Sequence, residues 1–218
     1  SPLLCIAHRK TPLRLNIDEM SKTMYLQGEA NLPTKYGIFR MRAYAQVPDE
    51  QMPIIVLYNP DTPLQHPVNV RLHSECMTGD LFGSLKCECG EQLHLSMEKI
   101  GAEGGILIYL RQEGRGIGII NKLHAYKAQE RGLDTVEANR VLGLEIDARK
   151  YDCAIAILKE LGIEKIKLMT NNPDKLKAFE GSGIEVIERI PLEISPTEDN
   201  LKYLQTKKEY FKHRLDLI

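Results

Sequence analysis

Residues 106–118 read Ile106-Leu107-Ile108-Tyr109-Leu110-Arg111-Gln112-Glu113-Gly114-Arg115-Gly116-Ile117-Gly118. The opening residues form a short uninterrupted apolar run, the mark of a strand buried on both faces. Arginines and glycines follow where such a strand ends, and Ile117 to Arg131 then reads as a helix stopped by Gly132. Upstream, a helix from about Gly90 to Ile100 is closed by Gly101 and the Gly104-Gly105 pair. A helix, a buried strand and a helix in succession are the unit of an α/β fold.

The same alternation continues downstream. Asp134-Thr135-Val136-Glu137 has the form of a capping box that opens a short helix. Residues 150–161 place Tyr151, Ala154, Ile155, Leu158 and Leu161 on one helical face. Ile166–Met169 is expected as a strand, Pro173–Glu180 as a helix, Ile184–Ile190 as a strand, and residues 197–215 as a long polar helix. Before residue 90 the chain is strand-rich, with Gly37–Ala45, Pro53–Tyr58 and Val68–Leu72 as strands. The expectation is therefore α/β: a β-rich N-terminal half with a mixed sheet, followed by alternating strands and helices. Residues 1–27 are poorly periodic and are read as an N-terminal arm or extension, with residues 28–218 as one domain.

Bulk properties narrow the function classes. The 218 residues are 43% hydrophobic, enough for a substantial core. A net charge of −1 supplies no global field for nucleic acid or an anionic membrane, so neither is expected as a partner. No apolar run is long enough to span a bilayer, and Ser1-Pro2-Leu3-Leu4-Cys5 lacks the pattern of a secretory signal. Five cysteines, an odd number, favour reduced thiols and a cytoplasmic setting over a disulfide framework. Cys5 is read as incidental and Cys153 as a small hydrophobe packed beside a helix.

The other three, Cys76, Cys87 and Cys89, lie within fourteen residues and read as a metal site with Zn²⁺ as the expected ion. A disulfide between such near neighbours as Cys87 and Cys89 would be strained. His73 or His94 could close the site as a structural Cys₃His centre; with three protein ligands it would instead be an open, catalytic one.

Polar clusters follow the carboxyl ends of three expected strands: His73-Ser74-Glu75-Cys76, then Arg111 through Gly118, then Thr170-Asn171-Asn172-Pro173-Asp174-Lys175. Ligands bind at that edge of an open α/β sheet, so parallel strands would bring the clusters into one pocket. The glycines free the backbone to approach a ligand, and Asn172 with Pro173 reads as a capped helix start beside Lys175. With a metal, these segments describe a polyphosphate-binding metalloenzyme.

The strings R-L-H-S-E-C-M-T-G-D (71–80), K-C-E-C-G-E-Q-L (86–93), Y-L-R-Q-E-G-R-G-I-G (109–118), N-K-L-H-A-Y (121–126), G-L-D-T-V-E-A-N (132–139), D-A-R-K-Y-D (147–152) and M-T-N-N-P-D-K (169–175) resemble GTP cyclohydrolase II, in that family's order and near its spacings. The resemblance runs from about residue 28 to the end, where Asn200, Tyr203-Leu204 and Thr206-Lys207 also fit. It implies hydrolysis of GTP with opening of the imidazole ring, loss of formate and pyrophosphate, and formation of 2,5-diamino-6-(5-phosphoribosylamino)pyrimidin-4-one, the first step of riboflavin biosynthesis.

The resemblance further implies one Zn²⁺ per subunit on Cys76, Cys87 and Cys89 with water as fourth ligand, Mg²⁺ accompanying the substrate phosphates, and a homodimer. It places GTP on Arg71, Leu72, His73, Ser74, Glu75, Gln92, Glu113, Gly114, Arg115, Thr135, Thr170 and Lys175. The implied catalytic residues are Tyr126, Asp147 as proton acceptor, and Arg149 as nucleophile on the α-phosphate. A guanidinium with a pKa above about 12 has no free lone pair, so stabilising charge at that phosphate is the physically easier role for Arg149.

Overall fold

The structure is a computed structural model and describes residues 23–197 and 200–218. Cys5 and the first 22 residues of the expected arm lie outside the described residues. Seven strands form one mixed sheet: β1 (Tyr25–Thr34), β2 (Gly37–Ala45), β3 (Ile54–Tyr58), β4 (Val68–Ser74), β5 (Ile106–Leu110), β6 (Lys165–Met169) and β7 (Glu185–Ile190). Their order is β1-β2-β3-β5-β4-β6-β7. The pairings from β1 through β3 to β5 are antiparallel, and those from β5 through β4 and β6 to β7 are parallel. Residues 25–27 of the expected arm therefore belong to the sheet. β1 is exposed along most of its length, so it carries no apolar alternation to read.

The run 106–110 is buried on both faces, as its composition requires. Ile106, Ile108 and Leu110 join one core with Val56, Val70, Leu72, Ile166 and Leu168, while Leu107 joins a second with Phe39, Met97, Ile100 and Met169. The first core is covered by α5 (Asp152–Glu160), through Ala154, Ile157 and Leu158. The second is covered by α2 (Cys89–Glu103), which packs on β2, β4 and β5. Each fully buried aliphatic side chain in these layers contributes roughly 1.5–3 kcal/mol.

Shorter helices fill the connections: α1 (Met77–Asp80), α3 (Gly118–Gln129), α4 (Thr135–Val141), α6 (Pro173–Lys177) and α7 (Leu201–Glu209). The Asp134 capping box forms in full, with its carboxylate accepting from the backbone N–H groups of Val136 and Glu137. Asn172 caps α6 with Pro173 at the first helical position. The expected long helix 197–215 is shorter, ending at Glu209. Beyond it the chain turns back, and the Arg214 N–H donates to the Asn171 carbonyl, so tertiary bonds replace further helical turns. No helix among the described residues is long and apolar enough to cross a membrane.

β4, β5 and β6 are parallel, so their carboxyl ends share one sheet edge. The chain leaves β4 toward β5 on one side and leaves β6 toward β7 on the other, which opens a crevice at that edge.

Candidate active site

At that edge lies a cavity of about 310 Å³. Its walls come from the segments after β4, β5 and β6, the starts of α2 and α4, one face of α3, and the C-terminal segment. The three strand-end clusters therefore do converge. Of the residues singled out from sequence, Arg71, His73, Ser74, Glu75, Gln92, Glu113, Gly114, Arg115, Tyr126, Thr135, Arg149, Thr170, Lys175 and the three cysteines all line it. Leu72 does not: its side chain is fully buried in the sheet core, and only its carbonyl faces the site, accepting from Lys175 Nζ at 2.6 Å. Asp147 is also outside the lining and reaches the cavity through Arg149.

The sulfurs of Cys76, Cys87 and Cys89 lie within 4.8 Å of one another, with Cys76 and Cys87 at 3.7 Å. Space for them is left by Gly79, where a Cβ would stand 2.9 Å from Cys87 Sγ and 3.3 Å from Cys76 Sγ. Hydrogen bonds from Cys87 and Cys89 hold the Cys76 thiol far below its ordinary range, with Lys122 adding to the effect. Sharing in the opposite sense pushes Cys87 up to about 11, and Cys89 also rises. Three soft donors gathered around one point, one already favoured as thiolate, can hold a metal ion. Neither histidine closes the group. His73 Nε2 lies 3.0 Å from Asp80 Oδ1, and His94 sits on the exposed side of α2 near Tyr36.

Cations crowd the rest of the cavity: Arg71, Arg115, Lys122, Arg149, Lys175 and Lys207 all face it. Lys122 donates to Cys76 Sγ (3.2 Å), Thr78 Oγ1 (2.8 Å) and Glu113 Oε1 (2.9 Å). Burial opposes its charge, yet Cys76 and Glu113 raise its pKa above the ordinary lysine value. Lys207 is likewise raised against burial by Glu88, 2.5 Å away. Lys175 has no carboxylate partner among the described residues, and burial, then Arg71 and Arg149, push it well below the lysine range. Arg71 is pushed down to about 10 by burial. It donates to the Met169 carbonyl and to Gln92, which in turn donates to Glu88. His213 is pushed down to about 2, first by burial and then by the surrounding cations. Positive charge gathered in this way can hold a polyanion.

The backbone of the glycine-rich segment is bent to serve the site. Gly114 and Arg115 both take φ of 61°, left-handed and costly at arginine, and Glu113 accepts from the N–H groups of Gly114 (2.7 Å) and Met77 (2.5 Å). The Arg115 carbonyl accepts from Ala148 N at 2.9 Å, which ties this segment to the Asp147–Arg149 loop. There Arg149 grips the Asp147 carboxylate through Nε (2.9 Å) and Nη2 (2.5 Å). Burial opposes ionisation of Asp147, but Arg149 wins and holds it below the usual carboxylate range. Arg149, though also disfavoured by burial, is raised by Asp147. Tyr126 is pushed up to about 12 by burial, so it is a hydrogen-bond donor at neutral pH.

The family model for GTP cyclohydrolase II matches residues 25–191, well over half of the sequence. The chain belongs to the GTP cyclohydrolase II family. Among relatives of this family member, the riboflavin biosynthesis protein RibBA of Bacillus cytotoxicus is 50% identical over 190 residues, covering 87% of this chain and 48% of the relative. RibBA of Chlorobium phaeovibrioides is 48% identical over 196 residues, covering 89% and 48%. RibBA of Bacillus subtilis is 50% identical over 189 residues, covering 86% and 47%. The chain thus spans about half the length of the curated relatives it matches.

Within this GTP cyclohydrolase II fold, the site assignments from sequence omitted Asp80, Lys122, Tyr203, Lys207 and His213. Lys122 stands four residues before Tyr126 and so shares its helical face, a signal that was present in the sequence. Asp80 accepts from Tyr109 OH and Cys76 N as well as meeting His73, contacts that only the folded sheet creates. Tyr203 and Lys207 lie in the strings near the end of the chain that fit the family, though no role was read from them, and His213 has no local pattern to mark it.

Proposed function

We propose that the chain is a zinc-dependent GTP cyclohydrolase II. It hydrolyses GTP, opens the imidazole ring, and releases formate and pyrophosphate to give 2,5-diamino-6-(5-phosphoribosylamino)pyrimidin-4-one for riboflavin biosynthesis. The observation that carries this reading is the placement of a three-thiol cluster on the wall of a cavity lined by buried cations. A metal centre and a polyphosphate site in one pocket suit a nucleoside triphosphate whose base is attacked. The catalytic unit is taken as residues 28–218 together with Tyr25–Gln27, which complete β1.

Cys76, Cys87 and Cys89 would hold Zn²⁺, which would supply Lewis acidity toward water at the site. The protein's own groups supply the rest. Arg115, Arg149 and Lys175 bind the phosphates. Glu75, buried and bridged to Arg111 at 2.9 Å, and Glu113 offer acceptors to the guanine N–H groups. Tyr126 donates to the purine or to a departing group. Arg149 acts as a fixed positive charge at the α-phosphate: Asp147, held ionised, is too weak a base to free a lone pair on it. Mg²⁺ would accompany the substrate and would offset phosphate charge there, a role that needs few protein ligands. Large exposed side chains at Leu81, Phe82, Leu85 and Ile120 support the homodimer, and reduced cysteines support the cytoplasm.

Incubation with GTP, with formate and pyrophosphate assayed separately, tests the reading. Both are expected in equal amounts. Pyrophosphate without formate would leave a nucleotide pyrophosphohydrolase, and no formate under any condition would remove the proposed reaction.

A further inference from the structure

The cations of the cavity are not held alike. Lys122, Arg149 and Lys207 each face a carboxylate, from Glu113, Asp147 and Glu88. Arg71 and Lys175 donate to backbone carbonyls. Lys86 is exposed, with its Nζ 4.4 Å from the Tyr126 ring centre, whereas Arg115, turned into the cavity, has neither a carboxylate nor a carbonyl partner among the described residues. Its Nη2 is buried without a hydrogen-bond partner, and what meets the guanidinium is aromatic. The Phe211 ring centre lies 4.2 Å from Arg115 Cζ and that of Tyr203 lies 5.4 Å away.

Both rings belong to the C-terminal segment, beyond the 25–191 stretch that the family model matches. Buried Leu204 and Leu215 anchor that segment, and two backbone bonds reinforce it: His213 N to the Lys207 carbonyl and Arg214 N to that of Asn171. The distinction from the other cations is chemical. A carboxylate neutralises an arginine and occupies its N–H groups. A ring face attracts the charge through its quadrupole and leaves those donors free. Arg115 is thus fixed in place, on a left-handed backbone, with its donors unspent.

We propose that Tyr203 and Phe211 are positioning residues that hold Arg115 as an anion-binding group of this cavity and so strengthen its affinity for polyphosphate. The proposal rests on the reading of the cavity as a polyphosphate site, but not on which nucleotide is turned over.

The test is calorimetric titration with inorganic tripolyphosphate. Phe211→Leu keeps apolar volume but removes the π face, and should weaken binding roughly fivefold, the worth of one such contact. Phe211→Tyr should retain the original affinity. Arg115→Gln should weaken binding further, and adding Phe211→Leu to it should change nothing more, because the ring acts only through the arginine. Tyr203→Leu should also weaken binding, but its ring lies 4.7 Å from Lys207 Nζ too, so Phe211→Met gives the comparison in the Arg115→Gln background if Phe211→Leu does not fold. Equal losses in both backgrounds, unchanged affinity in Phe211→Leu and Tyr203→Leu, or no tripolyphosphate binding by the unaltered protein would each overturn the proposal. A chain that shows the predicted pattern yet releases no formate from GTP would retire the substrate assignment and leave the clamp standing.

Discussion

Arg149 and Lys175 show how differently two buried cations can be prepared for one ligand. Arg149 is locked to Asp147 and raised, so no phosphoramidate should be recoverable on it by mass spectrometry after an acid-free quench of the GTP reaction; finding that adduct would restore the nucleophile role. Arg149→Ala should lower kcat on the order of 10²–10³-fold, the usual loss when a preorganised charge is removed. Lys175 is buried with no carboxylate partner among the described residues, which costs stability. Lys175→Met should therefore stabilise the ligand-free protein by about 1–3 kcal/mol while abolishing turnover. Its folded pKa lies below the unfolded value of about 10.4, so between the two the unfolded chain carries the extra proton and stability rises with pH. Below the folded pKa both states are protonated and the cost is carried in full. Chemical denaturation across that range should show the advantage of Lys175→Met shrinking as pH rises; a constant gap would mean that Lys175 is not displaced in its titration.

At the level of elements, the strand-end segments made much of the site legible in the sequence. The apolar run 106–110 marked a strand covered on both faces, and the clusters after β4, β5 and β6 met because those strands are parallel. The Asp134 and Asn172 caps were readable because capping is local chemistry. What escaped was set by tertiary context: β1, an exposed edge strand without alternation, and the tail after Glu209, whose fold depends on bonds to Asn171. Lys207 belonged to a recognisable string, yet its burial against Glu88 follows only from that docking. The short helix α1 carries a further consequence. A methyl group at Gly79 would press on Cys87 Sγ at 2.9 Å. Gly79→Ala should cost about 1–3 kcal/mol by overpacking and lower the bound zinc, read by thermal unfolding and metal analysis. Full zinc content with unchanged stability would show that the turn yields more easily than its packing implies.

Across the whole molecule, one sheet edge serves two chemistries. The parallel half of the sheet delivers thiols, carboxylates and cations to the same crevice, and the C-terminal segment folds back to complete its wall. The antiparallel half, β1 to β3, extends the sheet away from that crevice. Cys89→Ser should remove ring opening while leaving most of the fold, because the two cores on either side of β5 do not depend on the cluster. Loss of the whole fold in that variant would make the metal a structural staple. The central claim, that the three-thiol cluster holds the zinc that opens the ring of GTP, is tested most directly by measuring formate release from GTP as zinc is restored to metal-depleted protein. Formate release should rise in proportion to bound zinc and level off at one ion per chain; release at full rate without zinc would contradict the account.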